Sequence, residues 1–147
     1  MIGDNMTNGE GNFADVGSRI AATLIDTIIL AIISAILMIP VFGAAVFGRG
    51  FGLIFSYATL LPLLVFLAYY VFFETYKDGQ TPGKMAVKIK VVKVSGEPID
   101  IGEALIRNIL RIIDGIFFYL IGFIILSMSD KKQRLGDMAA GTIVVKA

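Results

Sequence analysis

The feature that most constrains this chain is an apolar run at residues 20–40, which contains one charged residue, Asp26, and is preceded by Arg19. An α-helix rises about 1.5 Å per residue, so about 20 residues cross the hydrocarbon core of a bilayer, which is about 30 Å thick. A carboxylate inside such a helix costs roughly 2.5–3.5 kcal/mol on insertion scales. The run therefore predicts a membrane-spanning helix whose carboxylate needs partners elsewhere in the chain.

The composition also favours a membrane protein and excludes several other classes. Hydrophobic residues make up 56% of the 147 residues, whereas soluble domains have about 45–50%. The formal charge of +1 provides no basic field for nucleic acid. The chain has no Cys and no His, and we find no nucleophile–base pair, metal-ligand cluster or nucleotide-binding motif. We therefore expect neither an enzyme, nor a cofactor, nor a metal site.

Two membrane-spanning helices are predicted, at residues 19–42 and 52–73, joined by a glycine-rich connection that carries Arg49. Pro62 lies inside the second run, which contains no charged residue. Aromatic side chains collect at the end of the second span, where they are interpreted either as an anchor in the headgroup region or as ordinary lipid-facing residues. They are Tyr69, Tyr70, Phe72, Phe73 and Tyr76.

A polar segment with turn and strand signals follows the second span. The sequence GQTPGK at residues 79–84 is typical of a turn, and β-branched residues alternating with lysines predict a strand at residues 85–94. A second β-like run, residues 142–145, is expected to pair with this strand. The lysines of the segment are expected to face water. They are Lys77, Lys84, Lys88, Lys90 and Lys93.

Residues 101–114 have the pattern of an amphipathic helix. Apolar side chains fall on one face of this helix, while Arg107, Arg111 and Asp114 share another face, with Asn108 beside them. A charged face of this kind is not stable in hydrocarbon alone. We therefore expect the helix to turn it toward protein or toward the membrane surface.

The orientation of the chain follows from its loop charges. Because the segment after the second span is rich in lysine, the positive-inside rule predicts that this segment and the N-terminus both lie in the cytoplasm. A further apolar stretch, residues 116–128, follows the amphipathic helix. If residues 101–128 crossed the membrane once, the basic tail would lie outside, against the same rule. The two helices are therefore either a re-entrant pair or a third span, and the β-pairing requires both strands to be in one compartment.

The predicted fold class is an all-α integral membrane protein with two full transmembrane helices, a third hydrophobic region and a small cytoplasmic β-pairing. Residues 1–17 are polar, contain no Lys or Arg and do not fit a secretory signal. We predict that they form a flexible N-terminal tail and that residues 18–147 form a single membrane domain.

Two charged faces are the candidate functional features. Arg19 and Asp26 lie on one face of the first helix, and Arg107, Arg111 and Asp114 form the second face. If the faces meet, the three arginines are candidate partners of the Asp26 carboxylate. Three interpretations are open: ion pairs that join the helices, a cation or proton site lined by Asp26 and Asp114, or a basic face that binds lipid headgroups.

Five motifs, taken together and in order, resemble the RDD family of membrane proteins over residues 13–146. They are RxxAxxxD at 19–26, GQTPGK at 79–84, GEPI at 96–99, RNILRIID at 107–114 and QRLGDMAAGT at 133–142. The family is named for one arginine and two aspartates. Arg19 and Asp26 match the arginine and the first aspartate, and Asp114 and Asp137 are both candidates for the second. The residues that match the motifs are Arg19, Asp26, Gly79, Thr81, Pro82, Gly83, Lys84, Arg134, Gly136 and Asp137.

The resemblance implies a transport-related role, because transport of unidentified ligands has been suggested for the family and some members resemble sodium/proton antiporters. We expect a small protein of the inner or plasma membrane in which Na⁺ and H⁺ compete for Asp26 and Asp114. Two or three helices do not easily enclose an ion path, so we expect a homo-oligomer. The alternatives are a non-transporting scaffold or assembly factor and an anionic-lipid-binding protein.

Overall fold

Two long helices form a hairpin, and the short elements gather at the end where the first helix begins and the second ends. The computed structural model describes residues 12–48, 50–116 and 133–147. We call the short elements, with the adjoining ends of the two long helices, the basal module. In chain order, the elements are α1 (Val16–Val46), α2 (Phe51–Tyr76), α3 (Pro82–Ala86), β1 (Ile89–Lys93), α4 (Ile101–Ile116), α5 (Leu135–Ala140) and β2 (Thr142–Lys146).

The two predicted membrane spans are confirmed as long apolar helices. α1 and the Ile54–Tyr76 segment of α2 are long and apolar enough to cross a bilayer, with mean hydropathies of 2.7 and 1.9 in their most apolar windows. α1 extends beyond the predicted span at both ends and includes Pro40, and α2 continues through Pro62. None of the most apolar stretch of α1 is buried inside the protein. Helices that are apolar all round and face outward are typical of membrane spans.

The predicted pairing of the two β-like runs is also confirmed. β1 and β2 form a two-stranded antiparallel sheet in which Ile89 lies opposite Lys146 and Lys93 lies opposite Thr142. The sheet packs on a small apolar core that includes residues from α1 and α4. The core residues are Ala14, Ala22, Ile89, Val91, Ile99, Ala104 and Val144.

The residues that precede α1 join this sheet. The amide N–H of Ala14 donates to the carbonyl oxygen of Val144 at 2.9 Å, and Phe13 forms a bridge to the next residue of β2. The part of the predicted tail (residues 1–17) that contains Phe13 and Ala14 is therefore held against β2. Residues 1–11 lie outside the described residues, and the division into a tail and one membrane domain stays a prediction.

The segment after α2 folds into a short helix, α3, that the sequence did not predict. Thr81 caps this helix by accepting a hydrogen bond from the amide of Lys84, and Pro82 occupies its first turn. Proline suits that position because its fixed φ of about −65° is helical and its missing N–H is not needed there. The predicted start of the strand was therefore wrong: residues 85–86 are helical, and β1 begins at Ile89.

α4 confirms the predicted amphipathic helix and turns its charged face inward. It packs against α2 and α5, and Arg107, Asn108, Arg111 and Asp114 are buried. Most of the helix predicted at residues 116–128 lies outside the described residues, so the re-entrant pair and the third span both stay predictions. The exposed apolar side chains of α4 are Ile101, Leu105, Ile106, Ile109 and Ile113.

Candidate ion-binding cluster

A cluster of charged side chains is buried where the helical hairpin meets the rest of the basal module. Burying a charge costs several kcal/mol unless ion pairs and hydrogen bonds compensate for the lost water. We call these residues the basal cluster. Its charged members, each at most 8% exposed, are Arg19, Asp26, Glu74, Lys84, Arg107, Arg111, Asp114 and Asp137.

The Asp26 carboxylate is held by three neutral donors. The Tyr69 hydroxyl and the Gly83 amide N–H each donate to Oδ1 at 2.8 Å, and the Thr81 hydroxyl donates to Oδ2 at 2.5 Å. These donors differ from the arginine partners that the sequence predicted. They satisfy hydrogen-bonding positions on both carboxylate oxygens without bringing a positive charge to the group.

A glycine allows α3 to approach α1 closely enough for this contact. A Cβ atom on Gly83 would lie 2.2 Å from the Ala22 carbonyl oxygen and 2.8 Å from Oδ1 of Asp26. Both distances are far shorter than van der Waals contact, so a side chain at this position would push the two helices apart. The GQTPGK motif, first interpreted only as a turn, therefore supplies a tight packing point and a backbone donor to the cluster.

The aromatic residues at the end of α2 are divided between the cluster and the surface. Tyr69 and Tyr70 are buried, whereas Phe72 and Tyr76 are exposed. The guanidinium carbon of Arg111 lies 4.2 Å from the centroid of the Tyr70 ring, a distance at which a cation is attracted to an aromatic face. The interpretation as headgroup anchors or lipid-facing residues is therefore wrong for Tyr69 and Tyr70.

Glu74, which the sequence analysis did not single out, is a second buried carboxylate at the end of α2. Its Oε1 forms an ion pair with Nζ of Lys84. Nδ2 of Asn108 donates to Oε2 at 3.0 Å, and Nε of Arg107 lies 3.1 Å from the same oxygen. The sequence did contain a signal that could have identified Glu74. This acidic residue directly follows the uncharged second span, and a charge at that position needs a partner.

Lys84 is buried, so the prediction that it faces water was wrong. Burial lowers the pKa of its ammonium group to about 8, although the charge of Glu74 acts in the opposite direction. Repulsion from Arg107 and Arg111 lowers the pKa further. A low-dielectric interior disfavours the charged form of an amine. Lys84 can therefore lose its proton at mildly basic pH while it remains inside the cluster.

Asp137, on α5, joins the two predicted charged faces. Nη1 of Arg107 lies 2.7 Å from Oδ1 and Nη1 of Arg19 lies 3.2 Å from Oδ2, while the Arg134 amide N–H donates to Oδ2 at 3.1 Å. Burial raises the pKa of Asp137, but the charges of Arg107 and Arg19 and the Arg134 amide outweigh burial and hold the pKa below its ordinary value. Of the two candidates for the second family aspartate, Asp137 rather than Asp114 pairs with Arg19.

Arg107 connects α4 to three other elements. Its guanidinium pairs with Glu74 on α2 and Asp137 on α5, and Nη1 donates to Oγ1 of Thr142 on β2 at 3.0 Å. Close packing makes this possible, since a Cβ atom on Gly136 would lie only 2.6 Å from the Arg107 carbonyl oxygen. The QRLGDMAAGT motif is therefore the helix–strand unit that packs against the charged face of α4.

A small cavity lies inside the basal cluster. Its volume open to water is about 30 Å³, enough for about two water molecules, since each occupies roughly 10–15 Å³ of such space. Five cationic side chains and two carboxylates are among its walls. The lining residues are Arg19, Ala22, Thr23, Asp26, Lys84, Ile89, Arg107, Arg111, Arg134, Asp137 and Val144.

Asp26 and Asp114, which the sequence proposed as one ion site, differ in their relation to this cavity. Asp26 lines it and Asp114 does not. Burial raises the pKa of Asp114, against the opposing charges of Arg134 and Arg111. The structure thus places Asp137, rather than Asp114, beside the cavity together with Asp26.

Arg19, one of the residues that line this cavity, has hydrogen-bond donors that no described protein atom accepts. Its Nη1 donates to Asp137, whereas its Nε and Nη2 are buried and have no hydrogen-bond partner among the described residues. An unsatisfied buried donor costs about 1–3 kcal/mol, and more when it is charged. These two donors of a cavity-lining guanidinium are therefore free to form charge-assisted hydrogen bonds with a bound group.

The chain matches a known family and several curated proteins. The RDD family matches residues 13–141. The uncharacterized membrane protein YteJ of Bacillus subtilis is 30% identical over 90% of this chain and 80% of YteJ. The uncharacterized protein YxaI of the same organism is 35% identical over 58% of this chain and 56% of YxaI. A proline-rich antigen homolog of Mycobacterium tuberculosis is 34% identical over 54% of this chain and 34% of its own length.

The coverage of these relatives is uneven. The chain spans about half of YxaI and about a third of the antigen homolog, whereas it spans most of YteJ. No solved structure matches the chain.

Proposed function

The chain belongs to the RDD family, and we propose that it is a transport-related membrane protein whose basal cluster is an ion-binding site. One observation carries the proposal: the cluster contains a cavity of about 30 Å³ with charged side chains in its walls. Ionisable residues buried against membrane spans commonly mark ion and substrate pathways. The cavity lies beside the first turns of α1, at one end of the two apolar spans.

The competing interpretation is that the cluster is only a joint that fixes α4 and α5 to the spans. The pairs of Arg107 with Glu74 and Asp137 fit a joint, because they connect α4 to both neighbours. The Nε and Nη2 donors of Arg19 do not fit it, since they are buried without a partner among the described residues and such donors destabilise a fold. These donors support a ligand in the cavity.

Ion flux through the purified protein in liposomes tests the proposal. We expect the wild-type chain to move an ion, and Asp26→Asn, which keeps the side-chain shape but removes its charge, to move it more slowly. The exposed-surface variant Lys146→Gln should match the wild type. If folded wild-type protein moves none of Na⁺, H⁺, chloride or phosphate, transport is contradicted. A co-purifying partner protein would then favour the scaffold or assembly role.

Exchange of Na⁺ for H⁺ at Asp26 is the second candidate function. It is favoured by a carboxylate only 1% exposed inside the first span, because such groups serve proton and cation relays. Against it, both carboxylate oxygens already accept hydrogen bonds. Growth of an antiporter-deficient strain in high salt separates the two candidates. Rescue by the wild type but not by Asp26→Asn supports exchange, and equal rescue by both, or none, excludes it.

We also propose that the N-terminus and both strands lie in the cytoplasm. The antiparallel pairing of β1 with β2 supports a shared compartment for them, and the lysines of the module agree with the positive-inside rule. Residues 101–128 would then enter and leave the membrane on one side. Reporters placed after Gly48 and after Ala147 should report opposite compartments. The same compartment for both would indicate a third span.

A homo-oligomer completes the proposal. The most apolar stretch of α1 buries none of its residues within one copy, so the two described spans do not enclose a path across the bilayer. Further helices, from a second copy, would supply the missing walls. Mass measurement of the detergent-solubilised protein by light scattering should give a multiple of the 15.9 kDa chain. A monomer that still transports ions would contradict this part of the proposal.

A further inference from the structure

The cavity of the basal cluster has the chemistry of an anion site. We propose that it binds a phosphate-class oxyanion, either a free phosphate ion or the phosphate of a lipid headgroup. This inference rests on the proposed function, because it names the class of ion for the same site. It replaces the cation that the sequence suggested with a ligand of opposite charge.

The spare donors of Arg19 are the first observation behind this assignment. The side chain is 5% exposed and lines the cavity, and its Nε and Nη2 have no hydrogen-bond partner among the described residues. Nε and one Nη form a planar fork that matches two oxygens of a phosphate or carboxylate group. Na⁺ could not use these donors, because a cation needs lone pairs rather than N–H groups.

The balance of charge around the cavity is the second observation. Five cationic side chains line the cavity, against two carboxylates, those of Asp26 and Asp137. Outside the lining, Glu74 pairs with two of the cations, and Asp114 is buried on the adjoining face of α4. Among these nine residues the positive charges exceed the negative by one when Asp114 is ionised and by two when it is neutral. An excess of positive charge in a low-dielectric site attracts an anion and repels Na⁺.

The repulsion among the cations points in the same direction. Burial, and then the charge of Arg111, lower the pKa of Arg134 to about 10. Burial, and then the charge of Arg107, likewise lower the pKa of Lys84 against the opposing charge of Glu74. A bound anion would relieve this repulsion, and a dianion would relieve it more than a monoanion. Phosphate therefore suits the site better than chloride, which has one charge and no oxygen atoms to meet a guanidinium fork.

The position of the cavity allows two sources of the phosphate group. Arg19 and Asp26 lie in the first turns of α1, where that span begins, so a lipid headgroup at the membrane boundary would reach the same depth as an ion from solution. Both sources present a tetrahedral phosphate to the same donors. Separate binding experiments can tell them apart.

Binding measurements on the purified full-length chain in a non-ionic, phosphate-free detergent test the inference. One arm titrates inorganic phosphate by calorimetry in sodium chloride of matched ionic strength. A second arm dopes the micelles with phosphatidic acid and measures lipid retention by native mass spectrometry. We expect one arm to show saturable binding: phosphate in the first indicates a free ion, and lipid in the second indicates a headgroup.

The variant Arg19→Lys separates a site from a joint. Lysine keeps the positive charge beside Asp137 but removes Nε and Nη2, so the fold should survive while oxyanion binding weakens about tenfold or more. The exposed control Lys146→Gln should bind as the wild type does. Equal binding by Arg19→Lys and wild type, or binding in neither arm, overturns the inference.

A Na⁺ titration distinguishes failure of this inference from failure of the proposed function. If the wild type binds Na⁺ and neither phosphate nor phosphatidic acid, the oxyanion is excluded while the ion-binding site stands. If it binds none of the three, both proposals fail. A melting temperature for each variant confirms that a loss of binding is not a loss of fold.

Discussion

The outer parts of the two spans and the basal cluster show opposite arrangements within the same pair of helices. Along the outer part of α1, Ile32, Ile36 and Ile39 are 56–68% exposed. At the other end of the hairpin, Asp26 and Glu74 are each 1% exposed. Apolar atoms outside and charges inside are the reverse of the arrangement in a soluble protein. The difference shows that lipid contact requires only length and apolarity, whereas the basal cluster requires particular partners at particular distances.

The two regions should therefore respond very differently to conservative substitutions. A lipid-facing leucine can replace an isoleucine because neither has a specific partner. In the basal cluster, removal of one charge leaves another charge buried and uncompensated. The following predictions test this contrast, beginning with the largest expected effect.

Replacing Glu74 by glutamine should destabilise the protein most. Glu74→Gln keeps the side-chain volume but removes the charge that pairs with Lys84 and Arg107. Loss of one partner from a buried ion pair costs about 3–5 kcal/mol. Thermal unfolding in detergent, followed by circular dichroism, measures the loss. The exposed Glu97→Gln is the matched control and should unfold as the wild type does. Equal melting temperatures for the two variants would show that the cluster is not a determinant of stability.

A pair of glycine-to-alanine substitutions in the two regions should give opposite results. At Gly83 the new Cβ would lie 2.2 Å from the Ala22 carbonyl oxygen, and overpacking of this kind costs about 1–3 kcal/mol. At Gly43 in α1 nothing lies within 4 Å of the new atom, so Gly43→Ala should leave stability unchanged or raise it slightly through helix propensity. Unfolding midpoints of the two variants provide the measurement. A larger loss at Gly43 would contradict the packing described here.

The pH dependence of stability should contain a contribution from Lys84. Burial lowers its pKa to about 8 in the folded protein, from an ordinary value of 10.5. Between these two pKa values Lys84 binds more protons in the unfolded chain than in the folded protein. The free energy of unfolding should therefore increase as the pH rises through that window. Below about pH 8 the cost of the buried charge is fully present. Arginine does not titrate in this pH window, so the increase in the free energy of unfolding should be absent in Lys84→Arg. An identical pH profile in both proteins would refute the assignment.

The smallest effect is expected for the ion pair at the surface of the basal module. Nζ of Lys93 lies 3.4 Å from Oε1 of Glu103, and the two side chains are 31% and 22% exposed. Water and salt screen such a pair, so a double-mutant cycle with Lys93→Gln and Glu103→Gln should give a coupling energy below about 1 kcal/mol that falls with added salt. A coupling as large as the loss in Glu74→Gln would remove the distinction between surface and cluster.

The sequence predicted the outer spans well because the length and apolarity of a run are sufficient to define a membrane helix. The strands were predicted because alternation identifies them and a shared compartment suggested their pairing. The inward charged face of α4 followed from helical periodicity, since three charged residues recur on one side. The spans, the individual strands and the charged face are each defined by residues close together in the sequence, so local patterns predict them, whereas the pairing of the strands came from the compartment argument.

The partners within the cluster could not be predicted in the same way. Arg19 reaches Asp137 across 118 positions of sequence, and Tyr69 reaches Asp26 across 43. Which carboxylate an arginine meets depends on how helices pack, and periodicity does not describe that. Lys84 was expected in water because the lysines around it are in a polar segment, yet capping by Thr81 turns α3 so that Lys84 points to Glu74.

The most direct test of the central claim is a crystal structure of the protein, in phosphate-free detergent, soaked with selenate, a tetrahedral oxyanion whose selenium scatters anomalously. We predict an anomalous peak inside the cavity, with selenate oxygens about 2.7–3.2 Å from Nε and Nη2 of Arg19. A cavity without selenium, in which both nitrogen atoms donate to protein atoms instead, would contradict the account and leave the basal cluster as a joint between helices.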